Sequence, residues 1–539
     1  MRQNICKITD RLFSRTNVTG IPSFKEFIGR EREAGVKTED LQEVKPDLFQ
    51  KRFTLKTYGC AMNENDSEIV QTILNKQNMI YESDVNKSEL ILLNTCAIRE
   101  GAESKVWNYI NEMAFLKRQK QKRGERFFIG ILGCMAERLK QKIVEEKKAV
   151  DLIVGPDSYK DLPRLLEYLF GPLNDGNNNY AINVQLSMDE TYADIIPVRK
   201  DSTSALISIM RGCGNMCSFC IVPFTRGVER SRPVSSILDE VKYLRDKGVK
   251  EITLLGQNVN SYLDTSDEIY YPHVNSLGFR ENYKARDKKG LRFASLLEKV
   301  AVEAPEVRFR FTSPHPKDFP DPVLDAINSF SNISKYIHMP AQSGNTEVLK
   351  HMNRLYTREA YLSLVDNIRT KIKGVSLSSD FIVGFCDETE EQFQDTLSLV
   401  DQVQFDLAFM FAYSMRERTA AHRKYIDNVE EAVKKDRLAR LIDTFRRNQK
   451  ELAQKQLGTR HIVLVDGKGN KKDQLKGRTD TYKSTIINTK DIKENIELGD
   501  YVEVEVRDTN GPTFISDYKG KTSIKDFFSR SGGLPFYLP

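Results

Sequence analysis

Ten short apolar runs, each followed by a helical pattern or a turn, divide this sequence between positions 52 and 414. Strands that alternate with helices are most simply laid parallel, with the helices as crossovers, so the pattern sets an α/β class before any single residue is considered. The runs fall into two series. RFTLKTYGC, LILLNTC, FFIGILGC and DLIVG, closed by a helix over 162–170, predict an N-terminal open parallel α/β sheet. ALISIM (205–210), EITLLG (251–256), VRFRFTS (307–313), KYIHMP (335–340), SLSSDFIVGF (376–385) and DLAFMFAYS (406–414) predict a central partial (β/α)6 TIM-like barrel, two units short of the closed form. GPLNDGNNN (171–179) reads as the boundary between them, and the polar, Tyr-rich stretch 261–290 as an inserted surface loop.

Beyond 414 the period changes. A long helix is expected over about 429–456, with Leu438, Leu441, Ile442 and Phe445 on one face. HIVLVDG, YKSTIIN and DYVEVEVRD then alternate between turn residues, which predicts a small C-terminal β-barrel. The resulting division is a leader and linker at 1–51, an α/β domain at 52–172, the barrel at 203–430, a basic linker helix at 431–457, the β-barrel at 458–522 and a tail at 523–539. Residues 1–25 carry Arg2, Lys7, Arg11, Arg15 and Lys25 against Asp10 alone, which fits either a mitochondrial presequence or an ordinary basic N-terminus. Localisation is therefore mitochondrial or cytoplasmic. No apolar run approaches the ~18 residues a membrane span needs.

Eight cysteines in 539 residues are too few for a disulfide scaffold. Cys213, Cys217 and Cys220 form a Cx3Cx2C run directly after the first strand of the second series, on the face where barrel active sites form. Three thiolates at that spacing can hold three corners of an iron–sulfur cluster, leaving one iron open to an outside ligand. Zinc wants a fourth ligand or a nearby His, and no His lies within 50 residues, so the cluster is favoured over zinc or structural thiols. Cys60, Cys96 and Cys134 each end a separate strand of the first series. Parallel strands bring such ends to one rim, where three thiols can converge on a second metal centre. Cys6 falls in the leader, Cys386 reads as a core or rim thiol, and His461 as structural.

These residues resemble a known family. Cx3Cx2C opening a βα barrel is similar to the radical S-adenosylmethionine (SAM) enzymes, and SIMRGCGNMCSFCIVPFTRGVERSRP with TYGCAMNENDSE, NTCAIRE and GCMAER resembles the methylthiotransferases. HMPAQSGN, SSDFIVGF and LKGRTDTY extend the likeness over about 52–520, the last resembling the start of the family's TRAM module. IVPFTRG and the long insertion resemble the eukaryotic branch named for association with a kinase activator. Cys386 stands where many bacterial members carry Pro. The resemblance implies a tRNA-2-methylthio-N6-isopentenyladenosine synthase, an enzyme acting at C2 of adenine next to the anticodon, with two [4Fe-4S] clusters and two S-adenosyl-L-methionine molecules. By position, Cys213, Cys217 and Cys220 would hold the radical SAM cluster, and Cys60, Cys96 and Cys134 the auxiliary one. It also implies an electron donor such as a ferredoxin or flavodoxin system. Threonylcarbamoyl-adenosine as substrate, or a non-catalytic role binding a kinase-activator protein, are the alternatives.

For the tRNA itself the sequence offers Lys and Arg. The segment 416–460 holds 13 of them against seven acids, and Arg437, Arg440, Arg446, Arg447 and Lys450 could form one basic face on the long helix. KRQKQKRGER (117–126) is a second basic cluster. Attraction of phosphates is one reading, and a solvated helix face the other.

Overall fold

The computed structural model describes residue 48 and residues 50–530, apart from 98–99, 147–148, 172–179, 200, 267–277, 281–288, 491 and 493. The presequence reading, nearly all of the boundary at 171–179, most of the 261–290 insertion and the last part of the tail lie outside the described residues.

The first domain is a six-stranded sheet of β1 (Arg52–Thr57), β2 (Ile80–Tyr81), β3 (Leu90–Thr95), β4 (Phe128–Gly133), β5 (Leu152–Val154) and β6 (Ala181–Asn183). The order is β2-β1-β3-β4-β5-β6 and every pair is parallel. All six residues of β3 are buried, as a central strand covered on both faces requires. Leu92, Leu132 and Val154 pack on one face with the helices Ala61–Asn75 and Leu162–Phe170, and Ile91, Leu93 and Ile131 on the other with Glu100–Lys122. The strand order reverses between β1 and β3, which opens a crevice at the carboxyl ends of those strands. β6 lies past the expected domain edge at 172, and Tyr192 and Ile195 belong to the same core, so the domain runs further than the polar stretch suggests.

The second series supplies β7 (Ser204–Ser208), β8 (Met210–Arg211), β9 (Arg230–Ser231), β10 (Glu251–Leu255), β11 (Leu263–Asp264), β12 (Leu291–Arg292), β13 (Arg308–Phe311), β14 (Tyr336–His338), β15 (Ser376–Val383) and β16 (Leu407–Ala412). All six expected runs contain strands. They hydrogen-bond as two parallel sheets, β7-β10-β13 and β14-β15-β16, joined by one bridge between Phe309 and Ile333. Ile207, Ile252, Phe309, Ile337, Leu377 and Phe381 face the surrounding helices in the largest core. The opposite, inner face carries Arg308, Arg310, Tyr336, His338, Ser378 and Asp380. The base of the insertion is core rather than surface: β11 pairs with β12, and Tyr262 is buried with its hydroxyl donating to the Arg232 carbonyl at 2.6 Å.

β17 (Arg460–Lys468), β18 (Gln474–Thr479), β19 (Ser484–Asn488), β20 (Tyr501–Asn510) and β21 (Thr513–Lys521) close into a barrel in the order β17-β18-β19-β21-β20. The start of the expected tail is a helix, Ile524–Arg530, whose Ile524, Phe527 and Phe528 pack on Ile462, Leu464 and Tyr501. This module sits against the amino ends of the second-series strands. Arg308 donates to the Arg478 carbonyl at 3.1 Å, and Arg310 to the carbonyls of Thr479 and Asp480 at 2.8 and 3.0 Å. Tyr482 stacks on Tyr336 with ring centres 4.8 Å apart, and the Tyr501 hydroxyl donates to the Lys250 carbonyl at 2.6 Å. The C-terminal barrel thus floors the βα barrel at the end opposite the cysteines.

Candidate functional site

Cys60, Cys96 and Cys134 follow β1, β3 and β4, three adjacent strands, so the sheet order brings all three to the crevice at its switch point. Two asparagines shape that rim. Asn63 donates to Asn94 Oδ1 at 3.1 Å and to the Thr95 carbonyl at 3.2 Å, while Asn94 donates to the Asn63 carbonyl at 2.9 Å and to Ser67 at 3.0 Å. Gly133 has φ +87°, and a Cβ there would stand 2.5 Å from Asn94 Oδ1 and 2.6 Å from the Thr95 carbonyl oxygen. Only glycine lets β4 turn at once into the helix that Cys134 opens.

Cys213, Cys217 and Cys220 lie on the loop leaving β8. Gly212 makes the turn with φ +73°, where a Cβ would come within 2.0 Å of the Val228 carbonyl oxygen. The Asn215 amide donates to Cys213 Sγ at 3.4 Å and Arg354 Nη1 to Cys217 Sγ at 3.3 Å. The same guanidinium reaches the Pro340 carbonyl at 2.7 Å and the Tyr356 hydroxyl at 3.0 Å, which ties the loop to the segment after β14.

Burial, and then Cys220, push the Cys213 thiol well above its usual range; burial, and then Cys217, push Cys220 up to about 12. Thiols that repel one another's charge in a buried loop ionise together only when a cation compensates them. Among the described residues no three Cys, His, Asp or Glu side chains converge closely enough for a single metal ion. A cubane meets each thiolate at a separate iron and asks for a wider cradle. With N–H donors aimed at two of the sulfurs, the donor set fits an iron–sulfur cluster.

One cysteine of the first set reaches the loop that carries the second. Cys134 packs with Ala97 and with Ile221, the residue after Cys220. Arg226 Nε donates to Cys134 Sγ at 3.2 Å while its Nη2 lies 2.9 Å from Asp66 Oδ2. Arg211, two residues before Cys213, donates to Asp66 Oδ1 at 2.7 Å and to the Pro156 carbonyl at 2.9 Å. Arg230 pairs with Asp157, and the Tyr159 hydroxyl lies 3.4 Å from Asp66. Burial pushes the Asp66 carboxyl up, but Arg211 and Arg226 outweigh it and hold it below the usual carboxylate range. Burial pushes Cys134 up and Arg226 opposes that rise. Sequence reasoning missed Asp66, Arg211, Arg226 and Arg354; their signal is position, each flanking a cysteine or set in the segment that packs on one.

The basic face divides. Arg437 is buried at 4% exposure and bonds Glu388 at 3.0 Å, so the expectation that it meets RNA is corrected: its charge is used internally. Arg440 pairs with Glu390 at 2.5 Å and Arg447 with Asp401 at 2.7 Å. Arg446 and Lys450 are exposed. In the 117–126 cluster, Lys117 pairs with Asp151, and the buried Lys120 donates to the Ser88 carbonyl at 2.7 Å. Cys386 sits in a small apolar cluster with Phe385 and Tyr413, and His461 is buried against Phe514 and Thr459.

Residues 52–155 match the Uncharacterized protein family UPF0004, and residues 207–400 the Radical SAM superfamily. The chain is 46% identical to the mitochondrial tRNA methylthiotransferase CDK5RAP1 of Mus musculus, over 95% of this chain and 90% of that one. It is 48% identical to a CDK5RAP1-like protein of Oryza sativa subsp. japonica, over 91% and 84%. It is also 44% identical to the tRNA-2-methylthio-N(6)-dimethylallyladenosine synthase of Christiangramia forsetii, over 87% and 94%.

Proposed function

The chain belongs to the radical SAM tRNA methylthiotransferases, and from that premise we propose that it converts N6-isopentenyladenosine next to the anticodon of tRNA into its 2-methylthio derivative. It is a transferase that uses SAM and a [4Fe-4S] cluster. The finer assignment is our own: Cys213, Cys217 and Cys220 would hold the cluster that binds SAM, and Cys60, Cys96 and Cys134 a second one. When bound, the two clusters supply the electron that cleaves SAM and the site from which sulfur is delivered. The observation that carries this reading is the seam itself, where Cys134 of the first set packs on Ile221, the residue after Cys220, and is bonded by Arg226.

The chain's own residues then do three things. Arg354 and the Asn215 amide orient two of the thiolates. Asp66, Arg211 and Arg226 lock the first domain on the second, so that the two centres keep one separation. The apolar group of Ala97, Ile221 and Phe224 keeps water from the seam. We read the two three-stranded sheets as one open (β/α)6 barrel, and the C-terminal barrel as a TRAM-like module. The electron comes from an external donor of the ferredoxin or flavodoxin kind, and the mitochondrion is the favoured compartment, with the cytosol as the alternative.

The test is nucleoside mass spectrometry of mitochondrial and cytosolic tRNA with and without the gene. Loss of the methylthio nucleoside with accumulation of its isopentenyl precursor is expected, and the affected pool fixes the compartment. Unchanged methylthio nucleosides in both pools would sink the reading. In purified enzyme, Cys217→Ala should abolish SAM cleavage, whereas Cys96→Ala should keep it and lose the methylthio product.

A further inference from the structure

The inner face of β14, β15 and β16 is floored at one end and open at the other. At the floor, Tyr336 stacks on Tyr482 and its hydroxyl accepts from Ser378 Oγ at 2.7 Å. One step toward the cysteine end, His338 Nδ1 shares a hydrogen bond with Ser378 Oγ at 2.8 Å, and its Nε2 lies 3.4 Å from Asp380. Asp380 is in register with Phe409, and Ile382 with Phe411. Phe409 stands edge-on to the His338 ring, with centroids 6.1 Å apart. These residues therefore share one face, opposite the buried Leu377, Phe381, Val383 and Ala408.

That face departs from what a barrel interior normally does. A closed barrel fills its interior with packed aliphatic side chains. Here Phe409 is 41% and Phe411 37% exposed, two large rings at alternate positions of one strand, beside a fixed imidazole and carboxylate. Large apolar surface left open inside a barrel, next to a few placed polar groups, is the composition of a ligand pocket.

We propose that Phe409 and Phe411 bind the N6-isopentenyl chain of the target adenine, and that His338 and Asp380 meet the polar edge of its ring. The proposal rests on the tRNA reading above and adds to it the residues that choose between substrates. A short branched hydrocarbon removes both rings from water. An anionic N6 substituent such as threonylcarbamoyl would instead bring a carboxylate against Asp380, which opposes binding. Selection is thus attractive toward the prenyl group and repulsive toward the charged one. The open end of this face lies at the carboxyl ends of the strands, the side on which the Cys213–Cys220 loop stands.

The experiment titrates cluster-loaded enzyme, anaerobically, with three anticodon stem-loop RNAs carrying adenosine, N6-isopentenyladenosine or N6-threonylcarbamoyladenosine at the target position, and measures methylthio product from each. Phe409→Ala and Phe411→Ser should each cut the preference for the isopentenyl loop over the adenosine loop by about 10- to 100-fold, the range for losing hydrocarbon contact in an apolar pocket. Phe409→Leu should restore most of it. Asp380→Asn should raise binding of the threonylcarbamoyl loop while Phe409→Ala does not. Preferences unchanged in both Phe variants overturn the proposal, even if every loop binds well. If Phe409→Ala changes iron content or melting temperature, the Phe411→Ser ratio alone decides by the same criterion. Wild-type enzyme that makes no methylthio product from the isopentenyl loop would overturn the tRNA reading itself, whatever the variants do.

Discussion

Asp66→Asn removes one negative charge from a place where no water can replace it. The Asp66 and Arg211 side chains are 0% exposed and Arg226 4%, so solvent screening does not discount the pairs. Asn can accept from one guanidinium but cannot neutralise two, which leaves Arg211 and Arg226 sharing the partial compensation of Asp157. Breaking a buried pair from one side costs about 3–5 kcal/mol, because an uncompensated charge stays behind. At 1.4 kcal/mol per decade that is about two to three and a half orders of magnitude in the equilibrium for parting the two domains. The assay is native-state hydrogen exchange read at the helices 61–75 and 222–226, which face each other across the seam, together with iron per chain. Amides in both should lose protection together, and, on the proposed role of Cys60, Cys96 and Cys134 as cluster ligands, iron per chain should fall, since Arg226 also bonds Cys134. A double-mutant cycle with Arg226→Met should show coupling well above the few tenths of a kcal/mol seen for independent sites. A change under about 1 kcal/mol, with iron intact, would mean that the seam relaxes and that Asp66 does not hold the centres together.

Gly212→Ala and Gly133→Ala force a Cβ into carbonyl or amide oxygens at a backbone strain of about 1–3 kcal/mol each; each should lower iron and labile sulfide by one cluster's worth while the other centre stays. Arg446→Glu with Lys450→Glu should weaken tRNA binding and flatten its dependence on salt by roughly one unit of slope per lost contact. Arg437→Ala should lower the melting temperature with the salt slope unchanged. Burial, helped by Lys483, drops His461 from its usual range to about 3. The unfolded chain therefore takes up a proton between pH 6.5 and 3 that the folded barrel refuses. Stability present above pH 6.5 is lost on acidification, by about 1.4 kcal/mol per unit, and His461→Gln should remove that slope in acid titrations followed by circular dichroism.

What the sequence made legible was governed by short-range order. The run at 90–95 is apolar enough throughout to leave no choice of element, whereas the turns that Gly133 and Gly212 make before two of the cysteines carried no signal that was read. β2 and β6, two and three residues long, have no period of their own and exist because a neighbour offers a ladder edge. Charges misled for a related reason. NENDSE is polar throughout, yet Asp66 is buried because Arg211 arrives from 145 residues away. VRFRFTS predicts a strand and says nothing of where its arginines go; Arg308 and Arg310 are buried under carbonyls some 170 residues on. Arg437 looked outward until Glu388 came from 49 residues before it. Whether a charge faces water is decided by its counter-charge, and spacing along the chain does not encode that partner.

The floor of the βα barrel bears on how such a chain can change by recombination. Arg308 and Arg310 donate to backbone oxygens of the C-terminal barrel, with Glu251 and Asp480 offsetting their charges, and Tyr336 gives its ring to Tyr482. A truncation near residue 457 would therefore strip both guanidiniums of those carbonyls and of Asp480, and leave Glu251 as one carboxylate facing two buried cations. The catalytic half and its C-terminal attachment are one inheritance, exchanged together or not at all, unlike beads joined by a linker.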